Sequence, residues 1–283
     1  MGQAPSQAVL ITGCSSGIGR ATAEHLAARG RTVYATARRA ADIADLEAAG
    51  CRLLELDVTD EGSMAAAVAA VENAEGAVGV LVNNAGYSQS GAVEAVAMDD
   101  VRRQFETNVF GLTRMCQLVL PGMRAQGAGR IVNVSSMGAN FTFPGGGFYH
   151  ATKYAVEAIS DALRFEVAGF GVQVVVVQPG LIRTHFGDTA AAGVDGGDDG
   201  PYAGFNAAVA EATRGVYEDR RLARLGGGPE TVARTIEKAI AARRPKLRYR
   251  VTPSAHLLIR QRSLMTGRMW DRMMGLQFPR PRG

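Results

Sequence analysis

Six short runs, each apolar at successive positions rather than at alternate ones, recur between stretches of helical periodicity. They are Ala8–Thr12, Arg31–Thr36, Leu53–Leu56, Val78–Asn83, Arg130–Val134 and Val172–Gln178. A strand that is apolar at successive positions must hide both faces. A parallel sheet layered with helices on each side does this. The intervening segments supply the helices. Asp60–Glu75 is Ala- and Val-rich with an acidic start, and Asp99–Gln126 carries apolar residues at 101, 105, 109, 112, 115, 116 and 119, close to a 3.6-residue period. The crossovers are expected to be right-handed. The pattern predicts an α/β, doubly wound parallel sheet of the Rossmann type, about seven strands with helices on both faces, Leu247–Val251 being the last, at an edge. A length of 283 residues suits one such domain, with its core over about 7–250.

The remainder is read less regularly. Residues 185–228 are rich in Gly, Ala and Asp without a strand pattern, which predicts an irregular lid over the substrate. Pro229 opens a helix to about Arg243, and 254–276 reads as one final helix in a C-terminal extension over about 252–283. Residues 243–283 hold eleven Lys/Arg and one acid, a net +10 against −6 for the rest of the chain. A solvated basic extension is the plain reading; an anionic partner, a peripheral membrane surface or an acidic substrate are the sharper ones. No aromatic-interleaved motif accompanies the charge, so nucleic acid is not expected. No apolar run reaches the length of a membrane span, and no secretory signal is expected. Cys14, Cys51 and Cys116 lie far apart with no CxxC, and the four histidines form no HxxxH. A reduced cytoplasmic setting and no metal are expected.

The first strand runs into T-G-C-S-S-G-I-G, Thr12–Gly19, and then a helix. Glycines there allow a sharp turn and let backbone N–H groups approach a pyrophosphate, while the helix N-terminus adds positive potential. The spacing is G-x3-G-x-G rather than G-x-G-x-x-G. Farther along, F-Y-H-A-T-K-Y places Tyr149 one helical turn before Lys153, and His150 one turn before Tyr154. By spacing alone the two pairs are equal.

Gly13, Gly17 and Gly19, then N-N-A-G (Asn83–Gly86), V-S-S (Val134–Ser136), Y-H-A-T-K (Tyr149–Lys153) and Q-P-G (Gln178–Gly180) with Thr184, resemble in order the short-chain dehydrogenase/reductase family, over roughly residues 7–250. The resemblance implies a nicotinamide site built from Gly13, Ser15, Ser16, Gly17, Ile18, Gly19, Asp57, Val58, Asn84, Ala85, Gly86, Tyr149, Lys153, Pro179, Gly180, Ile182 and Thr184. It implies Tyr149 as general acid/base, with Lys153 lowering the phenol pKa and binding the nicotinamide ribose. Ser136, thirteen residues before the tyrosine, would orient substrate, and Asn108 would support a proton relay. Asn108 is also a poor residue for a helix interior. An NAD site wants a carboxylate after the second strand. Here Ala37 and Arg38 stand instead, and a guanidinium suits a 2′-phosphate, so NADP(H) is expected, with Arg38 as its main ligand.

Met137, Phe141, Phe143, Phe148, His185 and Phe186 are expected around a hydrophobic alcohol or ketone. V-Y-A-T-A-R-R, Y-H-A-T-K and the long C-terminus look most like the branch containing 17β-hydroxysteroid and retinol dehydrogenases. Family analogy implies a homodimer or homotetramer pairing through helices 99–126 and 148–169. The rival reading is a non-catalytic NADP(H)-binding sensor; the intact Ser136, Tyr149 and Lys153 speak against it.

Overall fold

The computed structural model describes residues 4–184, 200–218 and 224–281. Among them seven strands form one sheet: β1 (Val9–Ile11), β2 (Val33–Ala37), β3 (Arg52–Glu55), β4 (Val80–Asn83), β5 (Gly129–Val134), β6 (Val172–Gln178) and β7 (Arg248–Arg250). Their order is β3-β2-β1-β4-β5-β6-β7 and every pairing is parallel. The helices are α1 (Gly17–Ala27), α2 (Glu61–Glu75), α3 (Met98–Phe105), α4 (Leu112–Ala125), α5 (Gly147–Val167), α6 (Ala203–Glu218), α7 (Pro229–Ala241), α8 (Pro253–Ser263) and α9 (Gly267–Met274).

The apolar runs are explained by a core on each face. Val9, Ile11, Val82, Val132 and Val175 pack one way, with Leu26 of α1 and Ile236 of α7. Leu10, Leu81, Ile131 and Val174 pack the other way, with Val71 of α2 and Val119 of α4. Successive residues of β1 thus alternate between two buried layers, as strand geometry requires. The order of connection reverses between β1 and β4, which opens a crevice at the carboxyl ends of the strands.

Three expectations change. The long helix over 99–126 is interrupted by a π-helical segment, Glu106–Gly111, between α3 and α4. The final helix is two: Thr266 caps a new start by accepting a hydrogen bond from the Met269 N–H at 3.3 Å. The segment read as an irregular lid contains α6, whose entrance is tied down by Asn206, which accepts a hydrogen bond from the Ala92 N–H at 3.0 Å. The rest of that expectation, 185–199 and 219–223, lies outside the described residues. No described helix is long and apolar enough to cross a membrane.

A third apolar cluster joins the C-terminal helices to the segment after β5. Ala255 and Ile259 of α8 and Trp270 and Met274 of α9 pack with Met137 and Phe141. The Trp270 indole N–H donates to the Thr142 carbonyl at 3.2 Å.

Candidate active site

The glycine loop leaves β1 at Thr12 and is clamped from the end of β4. The Asn84 amide donates to the Thr12 and Gly13 carbonyls, both at 3.0 Å. The Thr12 hydroxyl accepts from the backbone N–H groups of Asn84 and Ala85, also at 3.0 Å. Gly13 has φ +74° and Gly17 φ +58°, a region that disfavours side chains. At Gly19 the reason is space: a Cβ there would lie 2.2 Å from the Gly13 carbonyl oxygen. A Cβ on Gly17 would touch the Thr184 methyl at 3.4 Å, so the loop, Ala85 and Thr184 converge. Ser15 and Ser16 are exposed at the mouth of the loop, and the Ser16 side chain caps nothing, although it precedes α1. Ile18 packs on the core beneath. Cys14 also faces the core, where burial pushes its thiol up to about 12, so it is no nucleophile.

Arg38 and Arg39 follow the last residue of β2 and both are exposed. They differ in occupation. Arg39 is paired with Asp42 at 2.7 Å, whereas Arg38 has no ion pair among the described residues. The carboxylate of Asp57 accepts from the Thr59 N–H at 2.9 Å and its hydroxyl at 2.7 Å, which fixes the turn after β3. Asp60 caps α2 instead, accepting from the Ser63 N–H at 2.9 Å. Val58 is buried, with its carbonyl against Gly111 of the π segment; a Cβ on that glycine would lie 2.3 Å from the oxygen.

Two residues past β5, Ser136 stands in extended backbone, and its hydroxyl accepts from the Gly138 N–H at 3.0 Å. Tyr149 lies half-buried in the first turn of α5. One turn later Lys153 is buried; its ammonium donates to the Val134 carbonyl at 3.0 Å and lies 5.8 Å from the centroid of the Tyr149 ring. Burial lowers the lysine pKa to about 8, and the nearby Glu157 carboxylate pulls the other way. Glu157 is itself shared with Gln178 at 2.9 Å and Arg248 at 2.8 Å.

Asn108 sits in the π segment, buried. Its amide oxygen accepts from the Tyr87 N–H at 3.0 Å; its NH2 donates to the Tyr87 carbonyl at 2.9 Å and the Thr152 hydroxyl at 3.1 Å. A Cβ on Gly86 would fall 3.0 Å from the Asn108 oxygen and 3.7 Å from the Lys153 nitrogen, so these three groups abut. Single π turns inside helices are frequent at functional sites, and this one re-aims the asparagine that sequence reasoning placed in an ordinary helix. From the other side, the Pro179 carbonyl accepts from the Met137 N–H at 2.8 Å, and Ile182 bridges to Gly227. Gly180 abuts Thr252 and Ser254, leaving no room for a side chain.

The two pairs that spacing made equal are unlike in three dimensions. Tyr154 is exposed; His150 is buried and holds a loop. The His150 Nε2 accepts from the Phe143 N–H at 3.2 Å, which leaves Nδ1–H to donate to the Gly138 carbonyl at 2.7 Å. Burial lowers the pKa of this imidazole, partly offset by the Gly138 carbonyl. Gly138 and Gly146 flank the ring, and a Cβ on either would come within 2.8 Å of it. His150 is a packing and loop-holding residue, and its consequence for the Ser136 loop had no signal in the sequence except those glycines. Of the residues expected near substrate, Met137 is buried in the third cluster, and Phe143 and Phe148 are half-buried; His185 and Phe186 lie outside the described residues.

Sheets of this order hold dinucleotides at a glycine turn beside the switch point. A phenol next to a buried ammonium at the same edge can handle the proton of an alcohol. The class so defined is the NAD(P)-linked oxidoreductases of alcohol and carbonyl groups.

Comparison with known proteins agrees. The family profile described as short chain dehydrogenase matches residues 7–194. A 3-ketodihydrosphingosine reductase of Bacteroides thetaiotaomicron is 36% identical over 252 residues, covering 89% of this chain and 90% of that protein. An NADPH-dependent 3-dehydrocapnine reductase of Ornithobacterium rhinotracheale is 33% identical over 273 residues, covering 93% and 94%. Among solved structures, a short-chain dehydrogenase from Streptomyces avermitilis superposes with a TM-score of 0.77 at 35% identity, covering 95% of this chain and 97% of that one. The chain belongs to the short-chain dehydrogenase/reductase family.

Proposed function

We propose that the protein uses NADPH to reduce a ketone carried on a hydrophobic, long-chain substrate to the secondary alcohol. The observation that carries the catalytic half is the buried Lys153 ammonium, anchored to Val134 and facing the Tyr149 ring. In this reading Tyr149 would give its proton to the carbonyl oxygen, and NADPH, when held, would supply the hydride. Lys153 favours the resulting phenolate and binds the nicotinamide ribose. Ser136 holds the substrate oxygen, and Asn108 keeps Lys153 connected to a proton path. Gly13, Ser15, Ser16, Gly17, Ile18, Gly19, Asp57, Val58, Asn84, Ala85, Gly86, Pro179, Gly180, Ile182 and Thr184 would hold the cofactor.

The preference for NADPH rests on Arg38, an exposed guanidinium with no ion pair among the described residues, where an NAD site needs a carboxylate. Arg38→Asp is expected to shift the ratio of kcat/KM for NADPH over NADH by about 10²-fold toward NADH, since a charge-assisted contact is worth about 1.5–3 kcal/mol and the new carboxylate repels phosphate. An unchanged ratio would remove Arg38 from the site.

The substrate class is drawn from the two named reductases, whose substrates are a 3-keto and a 3-dehydro compound. By chemical definition ketodihydrosphingosine is a ketone on a long alkyl chain. Phe148, which precedes Tyr149 in α5, and Phe143, which packs against Phe141, Trp270 and His150, are both half-buried and suit an alkyl chain. The likeness to the 17β-hydroxysteroid and retinol branch argues for the same hydrophobic chemistry. The test is NADPH and NADH consumption with 3-keto sphingoid bases, steroids, retinal and short ketones. If none is reduced, the protein is the non-catalytic NADP(H) binder instead.

His150 acts in this scheme as a positioning residue, because its bond to Gly138 backs the N–H that Ser136 accepts. His150→Leu is expected to lower kcat about tenfold, as the Gly138 carbonyl and the Phe143 N–H both lose their partner, at about 1–3 kcal/mol each, while the KM for NADPH stays within twofold. His150→Asn, which keeps a donor near Nδ1, should recover part of kcat. Equal losses in the two variants would mean simple packing.

Self-association is proposed through α3, the π segment, α4 and α5, where the π segment exposes Phe110 (55%) and α5 exposes Phe165 (84%). Light scattering would read a monomer mass if this is wrong.

A further inference from the structure

The C-terminal arm, α8 and α9, is built with two unlike sides. Its inner side carries Ala255, Ile259, Trp270 and Met274 against Met137 and Phe141. Its outer side leaves Leu257 53%, Leu264 76%, Met269 49% and Leu276 87% exposed. Among these stand Arg260, Arg268, Arg272 and Arg280, all exposed and none with an ion pair among the described residues. Leu257 and Leu264 are two turns apart with Arg260 between them, so apolar and cationic groups share a stripe. Arg272 and Leu276 also line a cavity of about 700 Å³ against Pro201 and Phe205, so the surface continues into a cleft toward α6.

We propose that this arm docks the protein on an anionic lipid bilayer. The charge distribution selects that occupant. Residues 243–283 carry net +10 and the remainder −6, so a negative surface attracts this end and repels the rest. Arginines can meet lipid phosphates while the interleaved leucines and methionine enter the acyl boundary. Nucleic acid would engage the arginines and leave the leucines in water. A neutral apolar protein face would take the leucines and strand the arginines. The docking is independent of which ketone is reduced. Its link to catalysis rests on the proposed long-chain substrate: the arm's inner side packs on the residue after Ser136, so a docked arm would set that wall beside the membrane.

The experiment uses the full chain without substrate, sedimented with vesicles of phosphatidylglycerol and phosphatidylcholine or of phosphatidylcholine alone. Binding at least tenfold stronger to the anionic vesicles, and lost in 0.5 M salt by about as much because screening shortens the field, is expected. Arg260→Glu with Arg268→Glu should abolish it, and Leu257→Ser with Leu264→Ser should weaken it at least threefold. Unchanged melting temperatures and unchanged turnover of a water-soluble ketone show that both pairs fold. No preference for anionic vesicles, or a preference that survives both double variants, overturns the proposal. So does a change in oligomeric mass in the variants that accounts for the lost binding, which would assign the patch to a second copy. Vesicle binding without ketone reduction would instead count against the reductase reading and leave the docking intact.

Discussion

Tyr149→Phe is expected to lower ketone turnover by about 10²–10⁴-fold, the range over which a positioned proton donor acts, while NADPH still binds within about twofold. The argument is one of atoms. Hydride addition to a ketone leaves charge on oxygen, and a proton must arrive from a group aligned with it. Phenylalanine keeps the ring that packs beside His150 at 5.7 Å and removes only the hydroxyl. Tyr149 is half-buried, so the change in stability should stay under about 1 kcal/mol. Single-turnover absorbance at 340 nm on preformed NADPH complexes separates chemistry from binding. Turnover within threefold of the parent would refute the assignment of Tyr149.

Lys153→Met should abolish most turnover and yet stabilise the cofactor-free fold at neutral pH. The lysine pKa falls to about 8 in the fold from an ordinary 10.5, chiefly because burial disfavours the ammonium. Between those values the unfolded chain binds more protons than the folded one, so this group makes stability rise with pH. Below about pH 8 its penalty is complete, at most about 3 kcal/mol. It is relieved as pH rises from about 8 to 10.5. The variant loses that penalty but leaves the Val134 carbonyl without its donor, so a net gain of about 1–2 kcal/mol at pH 7 is expected. Urea denaturation at pH 7 and 9.5 reads both effects: the parent should gain on the variant as pH rises. Parallel stability curves would show that Lys153 carries no such strain. In the alcohol-oxidising direction the variant's pH profile should also move up, because the phenol loses its neighbouring cation. Glu157 moderates all of this, and its own pairing with Arg248 ties β7 to the site.

The central strands were legible because burial on both faces keeps most of their positions apolar; β6 over Val172–Gln178 matches the reading to the residue. The order of Gly13, Ser136, Tyr149 and Lys153 was legible because each motif follows a strand end or opens a helix. Helix interruptions were less so. A π segment at Asn108 differs from a regular turn by one backbone register, which apolar spacing does not resolve. The break at Thr266 was signalled only by a threonine able to cap, inside a run whose leucines and methionines fit a single helix. In residues 185–228 the Gly- and Asp-rich first half coloured the reading of the whole, although 203–218 is alanine-rich enough to be helical.

The parallel sheet, the glycine turn and the tyrosine–lysine spacing follow from local properties, periodicity and helix pitch, and so are written in the order of residues. Tertiary structure decided which groups are charged, held or free. Asn84 reaches back to Thr12 across seventy-two positions. Lys153 is desolvated by elements far from it in the chain, and Arg38 differs from Arg39 only in having no acidic partner. Those distinctions arise from burial and through-space contact, which adjacent residues do not record.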